Sequence, residues 1–416
     1  MTLPSSHEEP LDILPELFRA EFSRMVAVIA RQFGLGAIEL AEDIVSETFL
    51  QAAETWGSEG LPPNPPAWLY SVAKNKIRYA FRRENLFEQK IRPELNAAEY
   101  SFDPEIDFSE SSIKDHQLQM MFAICSPSIA SESQMALALR ILCGFSIEEI
   151  ATAFLTSKET INKRLYRARE RLRSEAILLE LPASPDIEFR LSTVLHIIYL
   201  LFNEGYYSRT GNRILRQDLC YEAMRLALTL HEFEPTNRPE TNALLALMCF
   251  HASRFKSRDV DDPEPVLYGE QDERLWDQDL ISRGLRFLAQ SASGEKMSSY
   301  HIEAGIARLH CDKSDSPEKW QEILSLYDAL AQRNPSPVVF LNRIYALFRV
   351  EGPQKAIQEA EALRLEDSHF YHLLLGELYT SVNRVKSLEH FEKAQRLTTN
   401  PAEQAGIRKR MANPGN

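Results

Sequence analysis

The stretch GFSIEEIATAFLTSKETINKRLYRARERLR, from Gly144 to Arg173, leaves the chain few choices. Ser146 with Glu149 three residues on is a capping box, which predicts a helix starting at Ile147. Ile147, Ile150, Ala151 and Phe154 give that helix one apolar side. The tight turn LTS follows, and Ser157 is placed to cap a second helix. In the second helix Ile161, Leu165, Ala168 and Leu172 recur at spacings of four, three and four, so one face packs inward. The other face presents Lys158, Asn162, Lys163, Tyr166, Arg167 and Arg171. Two short helices with a tight turn, the second one basic, describe a helix-turn-helix whose second helix can enter a major groove.

The charge of that helix is out of keeping with its surroundings. Seven Lys and Arg stand against two Glu in the seventeen residues from Ser157, in a chain of formal net charge −13. Glu159 and Glu170 are the only local partners, so a helix merely facing water would leave most of the repulsion unrelieved. Nucleic acid is the better partner. Neutralising about four to six phosphates gives mostly non-specific affinity, about 10⁻⁴ to 10⁻⁶ M. Residues 1–181 hold 19 Lys and Arg against 27 Asp and Glu, so no long-range field draws this half onto DNA. A second, tethered contact is therefore expected.

The rest of the chain reads as an all-α protein. LPELFRAEFSRMVAVIARQF and IELAEDIVSETFLQAAETW carry apolar residues at helical spacing, and the turn LPPNPP leads into a third helix. That helix, AWLYSVAKNKIRYAFRREN, interleaves Lys74, Lys76, Arg78, Arg82 and Arg83 with Trp68, Tyr70, Tyr79 and Phe81. Aromatic and cationic groups together suit unpaired bases, although Trp68 and Tyr70 also suit a core. Residues 93–115 hold seven acids and one Lys with little periodicity, which reads as a flexible acidic linker. LPASPD at 181–186 marks a further boundary. No run approaches the roughly 18 apolar residues of a membrane span, and MTLPSSHEEPLDILPELF lacks the pattern of a secretory signal. The five cysteines are scattered, with no CxxC pair. Buried thiols in a cytoplasmic protein are expected, with no zinc or disulfide framework.

AEDIVSETFLQA, then AWLYSVAKNKIRYAFRR, then the helix-turn-helix resemble the second and fourth regions of an RNA polymerase sigma factor of the extracytoplasmic-function type. LFNEGYYS, RQDLCYEAMRLA, LLALMCFHASR, LWDQDLI and PSPVVFLNR resemble the subgroup with a C-terminal, tetratricopeptide-like helical extension. The resemblance implies two small helical sigma domains, at 10–92 and 117–180, joined by an acidic linker at 93–116. A helical extension at 187–295 and tetratricopeptide-like hairpins at 296–411 would follow. It implies that Asp43, Glu47 and Phe49 bind core polymerase, and that Trp68, Asn75, Lys76, Tyr79, Arg82 and Arg83 bind the minus-10 element. Lys158, Thr160, Asn162, Lys163, Arg164 and Arg167 would bind the minus-35 duplex, Lys163 and Arg167 at phosphate and Lys158 at base edges. The family commonly has Gln where Ser46 stands and Asp where Tyr79 stands; Tyr79 offers stacking instead.

The C-terminal half gives no sign of chemistry. LFNEGYY sets Asn203, Glu204 and Tyr206 near His196, but no second carboxylate or His stands at ligand spacing. HExxH, Walker A and GxGxxG patterns are absent, so neither catalytic residues nor a metal or cofactor are expected. Asn-Glu-Gly reads as a helix end, with Gly205 at positive φ. Leu375, Gly376, Tyr379, Phe391 and Ala394 sit close to tetratricopeptide spacing, with a turn about one residue short. Such hairpins bind proteins, so a regulatory protein is an expected partner beside core polymerase and promoter DNA. The expected function is promoter recognition and initial DNA melting as an alternative sigma factor. The competing reading is a helix-turn-helix activator with a helical-repeat sensor that does not replace sigma; the aromatic-basic helix argues against it, since a duplex-only binder needs no stacking surface.

Overall fold

The computed structural model describes residues 13–91, 106–154, 156–175, 177–207, 213–258, 268–293, 296–398 and 401–412, all helix, turn or coil with no strand among them. The side chains of residues 83–91 and of a few other helical positions lie outside that description. The chain forms two compact units, Met1–Thr236 and Asn237–Asn416.

The first unit is built around α1 (Leu14–Phe33), which is buried continuously from Phe22 to Ala30 apart from Arg24. A helix that is apolar on most sides has to be surrounded, and α2 (Ile38–Glu59), α3 (Pro65–Ile91), α4 (Glu110–Ile124) and α5 (Ser131–Ile141) pack on it. Gly34 ends α1 with φ +80°, which lets the chain turn through Leu35–Ala37 into α2. The predicted helix-turn-helix is α6 (Ile147–Ala153) and α7 (Lys158–Ser174). α8 (Ser184–Tyr207) and α9 (Arg213–Glu232) form an antiparallel pair against α4, α5 and α6.

Three expectations are revised here. The acidic linker was expected over 93–116, but α4 already starts at Glu110, because the Ser109 hydroxyl accepts from the Ser112 amide at 3.3 Å and caps it. Ile106 is buried as well, and residues 92–105 of the expected linker lie outside the described residues. The boundary expected at 181–186 does not separate compact units, since α8 and α9 fold with the helix-turn-helix. Gly205 does not end its helix: α8 continues to Tyr207 without a positive φ at Gly205, because Phe202 and Tyr206, one turn apart, are both buried and stack at 5.8 Å.

The second unit begins with α10 (Pro239–Ala252), whose residues from Thr241 to Phe250 are all buried. After α11 (Phe255–Arg258), α12 (Gln278–Ser291) and α13 (Ser299–Leu309) cover α10. Packing continues without a break into α14 (Pro317–Arg333), α15 (Pro337–Glu351), α16 (Pro353–Leu363), α17 (His369–Tyr379), α18 (Arg384–Leu397) and α19 (Pro401–Ala412). The tetratricopeptide-spaced residues Leu375, Gly376, Tyr379, Phe391 and Ala394 all lie inside the α17–α18 hairpin. Four of the five cysteines are buried, and burial pushes the Cys125 thiol up to about 12. No helix among the described residues is long and apolar enough to cross a membrane.

Gly376 is where α17 lets the Phe391 ring in: a Cβ there would stand 2.6 Å from two ring carbons. Gly376→Ala is therefore expected to destabilise the second unit by about 1–3 kcal/mol through overpacking, read as a lower urea midpoint; an unchanged midpoint would mean the hairpin is looser than described. His310 supplies a second test. Burial first, then Arg254 and Lys319, pushes its pKa down to about 3, against about 6.5 in an unfolded chain. The neutral ring thus contributes stability that is present above about pH 6.5 and is lost as pH falls toward 3. Between pH about 7 and about 5, wild type should lose more stability than His310→Phe; equal losses would contradict this.

Candidate nucleic-acid interface

The helix-turn-helix is fixed by its caps and by one apolar stripe. The Glu149 amide donates to the Ser146 hydroxyl at 3.2 Å and the Ser146 amide to the Glu149 carboxylate at 2.8 Å, closing the capping box on α6. Ser157 caps α7 in the same way through the Thr160 amide, 3.2 Å away. Ile161, Leu165, Ala168 and Leu172 are completely buried, which sets the rotation of α7 about its axis. Lys158, Asn162, Lys163, Tyr166 and Arg167 are then exposed, and Arg164 is half-buried. Thr160 is engaged at the cap, its hydroxyl 3.0 Å from that of Ser157, so it positions the helix start instead of standing clear of it.

The basic charge of α7 is met in two ways. On the open face Lys158 pairs with Glu148 of α6 and Lys163 with Glu159, 2.7 Å away; both are solvent-exposed pairs of small net worth. The Lys158 ammonium holds the Glu148 carboxyl below the usual carboxylate range. On the closed edge Arg169 and Arg173 reach Glu39 on α2, and Arg169 also reaches Glu42. The repulsion left over by Glu159 and Glu170 is thus relieved partly by acids more than a hundred positions away, which no local pattern reveals.

On α3, Leu69, Ala73 and Ile77 are fully buried one turn apart and turn the helix so that Asn75, Tyr79 and Arg82 face outward. Lys76 is half-buried and pairs with Glu47 of α2 at 3.3 Å. The Arg83 side chain lies outside the described residues. Of the four aromatics expected to offer stacking, Tyr79 alone is open, at 68% exposure. Trp68 packs edge-on against Trp56 with centroids 5.3 Å apart, Phe81 stacks on Phe33 at 4.3 Å, and Tyr70 stacks on Phe108 at 4.7 Å. Of the two roles open to Trp68, the structure shows the core contact: the ring is half-buried, with the Trp56 indole holding one side of it.

On α2, Asp43 and Glu47 are exposed as expected. Phe49 is not: only 7% exposed, it packs edge-on against Phe18 at 5.0 Å and holds α2 to α1. The apolar group this face does present is Leu50, at 61% exposure. Asp43, Glu47 and Leu50 fall at i, i+4 and i+7, one face of a helix; that spacing was the signal available for Leu50.

Comparison with known proteins fits this arrangement. The model of sigma-70 region 2 matches residues 18–86, which are α1 to α3, and the model of sigma-70 region 4 matches residues 129–172, which hold α5 to α7. An uncharacterized protein of Rhizobium meliloti (strain 1021) is 34% identical over 403 residues, covering 93% of this chain and 94% of that protein. The chain belongs to the sigma-70 family of RNA polymerase sigma factors. It is an alternative sigma factor of the extracytoplasmic-function kind with a C-terminal extension, and the competing activator reading is not favoured. The RNA polymerase sigma factor CarQ of Myxococcus xanthus is 28% identical over 41% of this chain and 92% of its own length. The ECF RNA polymerase sigma factor EcfG of Rhodopseudomonas palustris (strain TIE-1) is 29% identical over 33% of this chain and 71% of its own length. A family of unknown function, DUF6596, matches residues 190–292 of the extension. No solved structure matches the chain.

In this sigma factor the capping box orients α6 under α7. Ser146→Ala should cost about 1 kcal/mol of stability, read by chemical denaturation, with α7 retained; a neutral result would mean that the Glu149 carboxylate alone supports the helix start.

Proposed function

We propose that this sigma factor divides promoter recognition between α3 and α7, and docks on core polymerase through α2. Asp43 and Glu47, with Leu50 beside them, suit a basic partner surface with an apolar centre. Lys158 and Asn162, in the first turns of α7, are placed for base edges, and Lys163, Arg164 and Arg167 for phosphates. Asn75, Lys76, Arg82 and Arg83 flank Tyr79, which takes the stacking role at the minus-10 element. The observation that carries the reading is the exposure of Tyr79 while its three aromatic neighbours on α3 are covered. An unpaired base can stack on such a ring for about 1–3 kcal/mol.

The chain brings no chemistry of its own in this reading; synthesis stays with polymerase, in the cytoplasm, and no metal or cofactor takes part. We read the second unit as regulatory. Val338, Phe370 and Val385 are exposed on its hairpins, apolar surface that a protein partner would cover.

Run-off transcription with core polymerase and this chain alone tests the reading: specific transcripts are expected, and duplex binding without transcripts would contradict it. Tyr79→Ala should lower transcription by about 5- to 100-fold, the stacking energy of one base, while duplex binding to the minus-35 element stays unchanged. Lys163→Ala should weaken binding to all sequences alike and lower the salt slope by about 1, whereas Asn162→Ala should cost about 1–3 kcal/mol of discrimination at one base pair.

A further inference from the structure

The last two helices of the second unit repeat, at the other end of the chain, the charge imbalance that marks α7. Residues 393–412 hold five Lys and Arg (Lys393, Arg396, Arg408, Lys409 and Arg410) against Glu403 alone, in a chain of formal net charge −13. The start of α18 adds Arg384 and Lys386 against Glu389 and Glu392, so the excess stays at four positive charges.

The fold turns these cations outward and the acid inward. Phe391, Ala394 and Ile407 are buried together where α18 meets α19, with Leu373 of α17 against them. That contact sets the rotation of both helices and leaves Lys393, Arg396, Arg408 and Lys409 exposed. Glu403 is engaged within the fold, 3.2 Å from the His369 ring and accepting from the Thr398 hydroxyl. Arg410 pairs with Glu377 at 3.3 Å, and Lys409 with Glu270 at 3.5 Å, an exposed pair of small net worth. Lys393, Arg396 and Arg408 form no ion pair with any described residue.

Other hairpins of this unit balance their charge in place. Arg308 meets Glu322, Arg343 meets Asp328 and Glu359, and Lys355 meets Glu351. A terminal repeat needs a polar outer face to stay soluble, and mixed charges of that kind would serve. A face of one sign repels itself and suits a polyanion. From Lys393 to Ala412, Leu397 is the one described side chain that exposes a large apolar group, at 41%. That is too little for the apolar core of a protein interface. Nucleic acid fits better.

Promoter DNA is the polyanion within reach. The second unit is joined to the first through Thr236 and Asn237, so once α7 sits on the minus-35 duplex the basic tip is tethered beside the same DNA. Contacts too weak to bind alone then add to the complex. Duplex downstream leads to the element taken by α3, which leaves the upstream flank. We propose that the outer face of α18 and α19, through Lys393, Arg396 and Arg408, binds the phosphate backbone of duplex upstream of the minus-35 element. This rests on the sigma-factor reading. Phosphate contacts hold the complex without adding sequence preference.

The test uses the full chain with core polymerase and a promoter fragment found by run-off transcription. The fragment ends either at the upstream edge of the minus-35 element or about 30 base pairs further out, about 100 Å of duplex. Wild type should hold the long fragment more tightly, with log affinity falling more steeply against log salt by about 2 to 3, the slope of three phosphate contacts. Lys393→Gln, Arg396→Gln and Arg408→Gln together should remove that extra slope and the upstream protection from hydroxyl radicals. Binding to the short fragment and the urea midpoint should stay as in wild type, since none of the three side chains is paired in the fold. A folded triple variant that keeps the wild-type slope on the long fragment would overturn the proposal and assign the tip to an acidic protein instead. Equal weakening on both fragments would overturn it too. Failure of wild type to bind the promoter at either length would sink the sigma-factor reading, and this proposal with it.

Discussion

Glu42 carries a charge into a place that water scarcely reaches, and the arrangement of the first unit follows from how that charge is answered. A buried carboxylate costs several kcal/mol unless it is paired and hydrogen-bonded. Here two guanidinium groups answer it, from α5 and from α7, and each of those helices is placed relative to α2 by that pairing. Removing either arginine leaves Glu42 a single guanidinium partner. Separating all three together returns every group to water.

The same economy explains a basic helix in an acidic chain. α7 has three sides. Its apolar stripe is fixed by Ile161, Leu165, Ala168 and Leu172. Its outer face offers Lys158, Asn162, Lys163, Tyr166 and Arg167 to solvent, and its edge spends Arg169 and Arg173 on α2. The net negative charge of residues 1–181 gives no long-range field that would draw the outer face onto DNA.

Much of this was legible in the sequence, because the decisive signals are local. The capping box, the Ser157 cap and the four-three-four spacing name α6, α7 and the buried face of α7 without reference to anything distant. Tetratricopeptide-like positions such as Gly376 and Phe391 are legible for the same reason: each motif lies within one hairpin. What escaped depends on partners far along the chain. Phe49 reads as a surface candidate until Phe18 is seen against it, and Trp68, which suits a core as well as a base, is decided only when Trp56 is seen beside it. Glu39 and Glu42 gave no sign of their arginines, and α8 and α9 gave none that they would join the DNA-binding helices, because packing between distant elements leaves no periodicity behind. Gly205 failed differently: a local helix-ending signal lost to the burial of Phe202 and Tyr206 on either side.

The most direct test of the whole account is photo-crosslinking from two positions in one promoter complex with core polymerase. A photoreactive phenylalanine analogue replaces the exposed Tyr166 of α7 in one sample and Tyr79 of α3 in another. The account requires Tyr166 to mark duplex at the upstream element and Tyr79 to mark bases about 25 positions downstream. Crosslinks from both positions falling on the same element would contradict it, as would a Tyr79 position that never marks DNA.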